Sequence, residues 1–242
     1  MHSDDVYYSF VLWSIASQNV KGRVWSPENR EHVTDAADGT GTANMKAFVA
    51  KDIREAVRQA YSKAAESPEE KHPFPVGRAF AESVGYPGKL LDSLPSVAVD
   101  AFAGVSNVAI FAEIASGDHV LDLGCGAGLD SLIAAGRVGP TGRVTGIEFS
   151  AAMIARARQA AEIHGVANIH LARTAAEDLP MPDDSVDVAI VNGIFNLNPA
   201  RDAIFRELAR VIRKGGSVYV AELILREPLP PETVKDPSNW FA

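Results

Sequence analysis

Residues 120–128 read V-L-D-L-G-C-G-A-G: an apolar run, an acid at Asp122, then glycines at alternate positions, Gly124, Gly126 and Gly128. Glycine has no Cβ, so it allows positive φ and lets a ligand approach the backbone closely. The next residues, L-D-S-L-I-A-A from Leu129, have helical character. The stretch therefore predicts a strand, a glycine loop and a helix whose N-terminal amides face a nucleotide-type ligand.

Downstream of this stretch, strands and helices alternate. Pro140-Thr141-Gly142 predicts a turn and Arg143 to Glu148 a second strand. Ser150 is a good N-cap for a helix over Ala151 to His164, which Gly165 closes. Asn168 to Ala172 and Ser185 to Asn192 read as the third and fourth strands. Pro199 suits the first turn of a helix running to Ile212, and Gly215-Gly216 leads into a fifth strand, Ser217 to Leu223. The helix after the glycine loop is expected to close at Gly136. Five strands separated by helices predict a doubly wound α/β fold with a mostly parallel sheet. Its ligand belongs at the carboxyl ends of the strands.

The upstream residues differ. Ile53, Ala56, Val57, Ala60, Tyr61 and Ala64 fall at helical spacing between Lys51 and Glu66, with Ser67-Pro68 as the stop. A proline-set segment follows at 72–77, and Val97 to Ile114 reads as an apolar helix. Residues 1–47 show no sustained period. They read as an N-terminal extension of unclear order, with Met45 as a candidate start and Tyr7 to Leu12 as the one candidate strand. The expected organisation is thus an extension (1–47), a helical cap (48–116) and a ligand-binding core (117–242).

The 242 residues carry a formal net charge of −8, which argues against a duplex nucleic-acid binder with its basic face. The apolar run from Tyr7 to Ala16 is shorter than the ~20 residues of a membrane span. It also lacks the basic flank of a secretory signal. Cys125 is the single cysteine. No internal disulfide or multi-cysteine metal site can form, which agrees with a reducing cytoplasm.

The dinucleotide fingerprint G-x-G-x-x-G fails here, because its last glycine falls on Leu129 or Ser131. The spacing is G-x-G-x-G preceded by D-x, and a second acid, Glu148, closes the second strand 24 residues after Gly124. A carboxylate there can accept both hydroxyls of a ribose. Cys125 reads as a small filler of the turn, since no histidine or lysine adjoins it to activate the thiol.

The ordered set D-L-G-C-G-A-G, G-I-E-F-S, A-E-D-L-P-M-P-D-D-S-V-D-V-A and L-A-R-V-I-R-K-G-G resembles the class I S-adenosylmethionine-dependent methyltransferases over residues 117–225. The resemblance implies bound S-adenosylmethionine. Asp122 and the loop with Gly124, Cys125, Gly126 and Gly128 would face its methionine moiety. Glu148 would face the ribose, Phe149 the adenine face, and Ala176 and Glu177 the adenine edge. Many members have glycine-aspartate where this chain has Thr174-Ala175, which removes one adenine contact. Asn192 completes the cofactor set and, with Phe195 and Asn196, is a candidate to orient an acceptor. Arg78 and Tyr86 are candidate contacts from a lid. No catalytic base is assigned. The class closes its sheet with two further strands, and the ten residues after Glu232 cannot supply them, so the core is expected to be C-terminally incomplete.

R-V-G-P-T-G-R-V at 137–144, N-G-I-F-N-L-N-P at 192–199, A-E-L-I-L-R-E-P-L-P-P-E at 221–232 and D-P-S-N-W at 236–240 look like arsenite methyltransferases. That family binds trivalent arsenic through three cysteine thiolates. This chain has Val105 and Gly193 where two of them would stand, and it stops before the third. The expected function is methyl transfer from S-adenosylmethionine to a small-molecule acceptor, with no nucleic-acid or membrane partner. Alternatives are a non-catalytic S-adenosylmethionine-binding relative and, with less support, arsenite methylation or an NAD-dependent oxidoreductase.

Overall fold

The computed structural model describes residues 6–14, 21–25 and 43–225. Its centre is β3 (His119–Leu123), every residue of which is buried. Parallel neighbours flank it on both sides: β4 (Arg143–Glu148) and then β5 (Ile169–Arg173) on one, β6 (Val186–Asn192) and then β7 (Ile212–Leu225) on the other. A strand buried on both faces must be apolar throughout, and the V-L-D-L run satisfies this except at Asp122.

Side-chain alternation divides the core between the two faces. Val120, Val144 and Ile190 pack against α6 (Leu129–Val138) and α5 (Val108–Phe111). Leu121, Leu123, Ile147 and Val191 pack against Ile204, Leu208 and Val211 of α8 (Arg201–Val211). The helix α7 (Ala151–His164) is capped as expected: Ser150 Oγ accepts from Met153 N at 3.3 Å, and Gly165 closes it at φ 70°.

Two further strands complete a seven-stranded sheet in the order β2-β1-β7-β6-β3-β4-β5. β1 (Val6–Ser14) runs antiparallel to β7 over nine residues, and β2 (Lys21–Trp25) pairs outside it. The stretch read as an extension thus supplies the free edge of β7, through the one segment the sequence marked as a strand. The closing pair of strands expected after the fifth is, at that edge, this N-terminal hairpin.

Several boundaries differ from expectation. Gly136 does not stop α6, which runs on to Val138 and closes at Gly139, φ 67°. Pro199 and Ala200 precede α8, which starts at Arg201. β7 begins at Ile212, and the register against β6 shifts between Val186 and Val188. The glycines belong to that irregularity: Gly215 has φ 79°, and a Cβ on Gly216 would lie 2.7 Å from Asp187 O.

The segment 97–114 is not one helix. It holds α4 (Ser96–Val99) and α5, joined by a strap over 100–107. The apolar run is equally suited to a buried irregular segment, and long-range bonds decide between the two. Gly77 N donates to Phe102 O at 2.8 Å, and the side chain of Asn192 takes the strap's amides. Upstream, α1 (Ala43–Glu66) lies against α7, and the short helices α2 (Arg78–Ser83) and α3 (Gly88–Asp92) fold over α6. Among the described residues, no helix is long and apolar enough to cross a membrane.

Candidate functional site

A cavity opens at the carboxyl ends of β3, β4 and β6, between these strand ends and α1. The glycine loop forms its floor. Gly124, Gly126 and Gly128 have φ of 80°, 52° and 89°, a region that L side chains adopt only at a cost. Their roles diverge. A Cβ on Gly126 would meet nothing within 4 Å, so this backbone faces open space. A Cβ on Gly124 would lie 2.3 Å from Ile194 Cγ2, and one on Gly128 would lie 3.1 Å from Ala157 Cβ. Gly128 therefore serves helix packing, as the N-cap of α6 against α7, and is not among the cavity residues.

The other sequence-predicted residues converge here. Asp122, Cys125 and Gly126 line the cavity from the loop side, with Glu148 and Phe149 from the end of β4. Ala176, Glu177 and Asn192 line it from the segments after β5 and at the end of β6. Glu148 is 5% exposed and holds the loop in place: Oε2 accepts from Gly126 N at 3.1 Å and Oε1 from Ser150 N at 2.7 Å. The Phe149 amide also bonds this carboxylate. Burial raises the Glu148 carboxyl above the ordinary range against the pull of these amides.

Asp122 accepts from Ser131 Oγ at 2.5 Å. Its burial, reinforced by the negative charge of Asp130, pushes its pKa up to about 8. Cys125 is buried, and that burial raises its thiol well above the ordinary value. Its Sγ lies where a Cβ on Gly146 would approach to 3.0 Å, so it fills the turn, as the sequence reading held.

Asn192 has no spare valence. Its Oδ1 accepts from Val105 N at 2.8 Å and Ser106 N at 3.1 Å, while Nδ2 donates to Ser106 O at 2.7 Å and Asp130 Oδ2 at 2.9 Å. A primary amide has two donors and two acceptor lone pairs, and all four are engaged. The group clasps the 104–107 strap to β6. Gly104 makes room for it, since a Cβ there would lie 2.5 Å from Asn192 Nδ2.

The lid candidates do not enter the cavity. Arg78 is exposed and pairs with Glu82 and Asp92. Tyr86 is 2% exposed, its hydroxyl 3.0 Å from Ser106 O and 2.5 Å from Asp130 Oδ1. Phe195 stacks on Phe205 at 4.6 Å, and Phe195 and Asn196 give their amides to Glu222 beside the cavity. The lining at that point comes from Ile194, Leu197 and Asn198.

Sequence reasoning missed Arg54, Tyr61 and Asp130, all of which line the cavity. Arg54 pairs with Glu177, which also accepts from Asn198 Nδ2 at 3.1 Å, so α1 is latched to the segment after β5. Tyr61 stacks on Phe74 at 4.5 Å. No local signal marks Arg54 and Tyr61, because α1 reaches the site only through its packing on α7, whereas Asp130 stands in the first turn of α6, two residues after Gly128. Val105 and Gly193, distant in sequence, prove adjacent: a Cβ on Gly193 would lie 2.9 Å from Val105 Cγ1.

The donor set fits an adenosyl ligand with cationic groups. Three buried carboxylates, Asp122, Asp130 and Glu148, meet at one cavity with an open glycine backbone at Gly126, and Phe149 stands at its rim, 36% exposed. A doubly wound sheet with this loop and an acid at the carboxyl end of each of its first two parallel strands defines the class I S-adenosylmethionine-dependent methyltransferases. The family model described as a methyltransferase domain matches residues 114–241, more than half of the chain, and the chain belongs to that family. A model described as protein-L-isoaspartate(D-aspartate) O-methyltransferase matches residues 39–177.

An arsenite methyltransferase of Halobacterium salinarum is 36% identical over 161 residues, 66% of this chain and 40% of that protein. A phosphatidylethanolamine N-methyltransferase of Cereibacter sphaeroides is 35% identical over 117 residues, 48% of this chain and 56% of that one. The crystal structure of an arsenic(III) S-adenosylmethionine methyltransferase from Chlamydomonas reinhardtii superposes with TM-score 0.52 at 27% identity, covering 68% of this chain and 54% of that one. The chain thus spans less than two thirds of the length of each of these relatives.

Proposed function

We propose that this chain binds S-adenosylmethionine in the cavity over the glycine loop and directs its methyl group to a small-molecule acceptor. The observation that carries this reading is the meeting of Asp122, the Gly126 backbone, Glu148 and Phe149 at the ends of β3 and β4. The carboxylate of Glu148 is suited to accept from ribose hydroxyls, and the exposed ring of Phe149 to an adenine face. Ala176 and Glu177 border the adenine edge, where the Thr174 hydroxyl donates to Asp178 O at 3.3 Å. Asp122 and Asp130 supply negative charge for an ammonium group. Asn192 acts at one remove, by holding the strap that walls the cavity.

When bound, the sulfonium supplies an already activated methyl group, and transfer is an in-line displacement. The protein's contribution is to align donor and acceptor and to keep water out. The Arg54–Glu177 pair and the Tyr61–Phe74 stack close the cavity from the α1 side. At the acceptor end, an isopropyl group fills the contact between Val105 and Gly193, the two places where arsenite methyltransferases carry thiols. This disfavours arsenite as the acceptor, because a soft ion needs sulfur ligands. The residues 48–116 act as a cap on the core in this reading.

Calorimetry with S-adenosylmethionine, S-adenosylhomocysteine and NAD tests the donor. Binding of both adenosyl ligands is expected, and binding of NAD alone would overturn the proposal. A donor-consumption assay over a metabolite panel, arsenite with a thiol reductant included, then separates the enzyme from a non-catalytic binding relative.

A further inference from the structure

Three carboxylates are buried together at this cavity, and among the described residues no basic side chain pairs with them. Asp122 of β3 is met by Ser131 and Asp130 of α6, by Cys125 of the loop and by Glu148 of β4. Asp130 is met by Tyr86 from the segment before α3 and by Asn192 of β6. Glu148 is met by backbone amides, with Tyr61 of α1 nearby. Among the described residues, Arg54 is the cation of the cavity lining, and Glu177 takes its charge. Removing several like charges from water with no counter-charge is costly enough that such groups take up protons instead.

The hydrogen bonds leave a place for that proton. The single hydroxyl hydrogen of Tyr86 faces two acceptors, Ser106 O at 3.0 Å and Asp130 Oδ1 at 2.5 Å. A proton on Asp130 satisfies both: Asp130 donates to the phenol oxygen and the phenol donates to Ser106 O. Ser131 Oγ makes a second short contact at 2.5 Å, to Asp122.

We infer that the Asp122–Asp130 pair holds a proton in the ligand-free protein and that binding of the cationic methyl donor expels it to solvent. The inference rests on the donor reading given above. S-adenosylmethionine brings an ammonium, a sulfonium and a carboxylate, a net charge of plus one. One carboxylic O–H bond breaks, the proton passes to the buffer, and the carboxylate left behind balances the ligand. The titration belongs to the pair rather than to either residue. Burial raises both groups, and the charge of Asp130 raises Asp122 further, to about 8, which sets the upper step of the pair.

The test is calorimetric titration of the full chain with S-adenosylmethionine in buffers of differing ionisation enthalpy. The slope of observed enthalpy against buffer enthalpy counts the protons released. At about pH 6 the slope is expected to correspond to about one proton, and donor affinity is expected to rise about tenfold per pH unit there. At about pH 9, where the pair is already ionised, the release should vanish. Asp130→Asn, which removes the carboxyl facing the Tyr86 hydroxyl, and Asp122→Asn, which removes the other member of the pair, should each reduce the release. Should either variant fail to fold, the comparison of the two pH values on the unaltered chain still decides the question. Tight binding with no buffer dependence at the lower pH would overturn the inference and leave the donor reading standing. Absence of binding by both S-adenosylmethionine and S-adenosylhomocysteine would overturn both.

Discussion

Replacing Asn192 by alanine tests whether this residue is the clasp of the site. Its amide makes four hydrogen bonds, to Val105 N, Ser106 N, Ser106 O and Asp130 Oδ2. Ser106 O keeps the Tyr86 hydroxyl after the change, while the other three atoms lose this partner. At about 1 kcal/mol for each of these three groups, the cost is about 3 kcal/mol. For a chain of this size each kcal/mol moves the thermal midpoint by ~2–4 °C, so a fall of about 6–12 °C is expected. Thermal unfolding followed by circular dichroism measures it. Asn192→Asp refines the test. It keeps the acceptor for the two strap amides but turns a second oxygen toward Ser106 O and Asp130. Its midpoint should approach the parent's at about pH 4, where the carboxyl is protonated, and fall away as the pH rises. A midpoint for Asn192→Ala within ~2 °C of the parent would refute the clasp, because so small a shift is less than one hydrogen bond.

Three other outcomes are expected. Glu148→Ala removes the acceptor of the Gly126 and Ser150 amides as well as the proposed ribose contact, and calorimetry should show S-adenosylhomocysteine affinity reduced by on the order of 100-fold. Gly193→Ala combines a φ of 79° with a Cβ 2.9 Å from Val105 Cγ1, and urea denaturation should show a loss of about 2 kcal/mol. Adding Val105→Ala should cost less than the sum of the two single changes, and strict additivity would count against the contact. Finally, Asp122 binds its proton more tightly in the folded chain, at about 8, than in the unfolded one. The folded state therefore holds more protons between about pH 4 and 8, and ligand-free stability falls as pH rises through that window. Asp122→Asn should relieve this at pH 8 and change little near pH 4, as midpoints at the two values will show.

Much of the parallel core was legible because its signals are local. The V-L-D-L run, the alternate glycines, Ser150 as a cap and Gly165 as a stop each act within a few residues of where they stand. Nine of the ten predicted cofactor residues line one cavity for the same reason: they sit at strand ends, where the fold puts ligands. Gly128 does not, since its glycine serves the approach of α7, a neighbour whose distance no local pattern reveals. The run 97–114 was misread as one helix because apolar composition suits a buried strap equally well, and Asn192 and Gly77 settle it from far along the chain.

The sequence by itself determined the strand–loop–helix unit, the order of the parallel strands along the chain and the two acids at the carboxyl ends of β3 and β4, because short-range sterics and periodicity encode them. Only the tertiary structure decided that β1 and β2 complete the sheet beside β7, that α1 brings Arg54 and Tyr61 to the cavity, and that Val105 covers Gly193. It also decided that Asp122, Asp130 and Glu148 are buried together without a basic partner among the described residues. Burial and juxtaposition are properties of packing between distant segments, and these properties set the charge of the site.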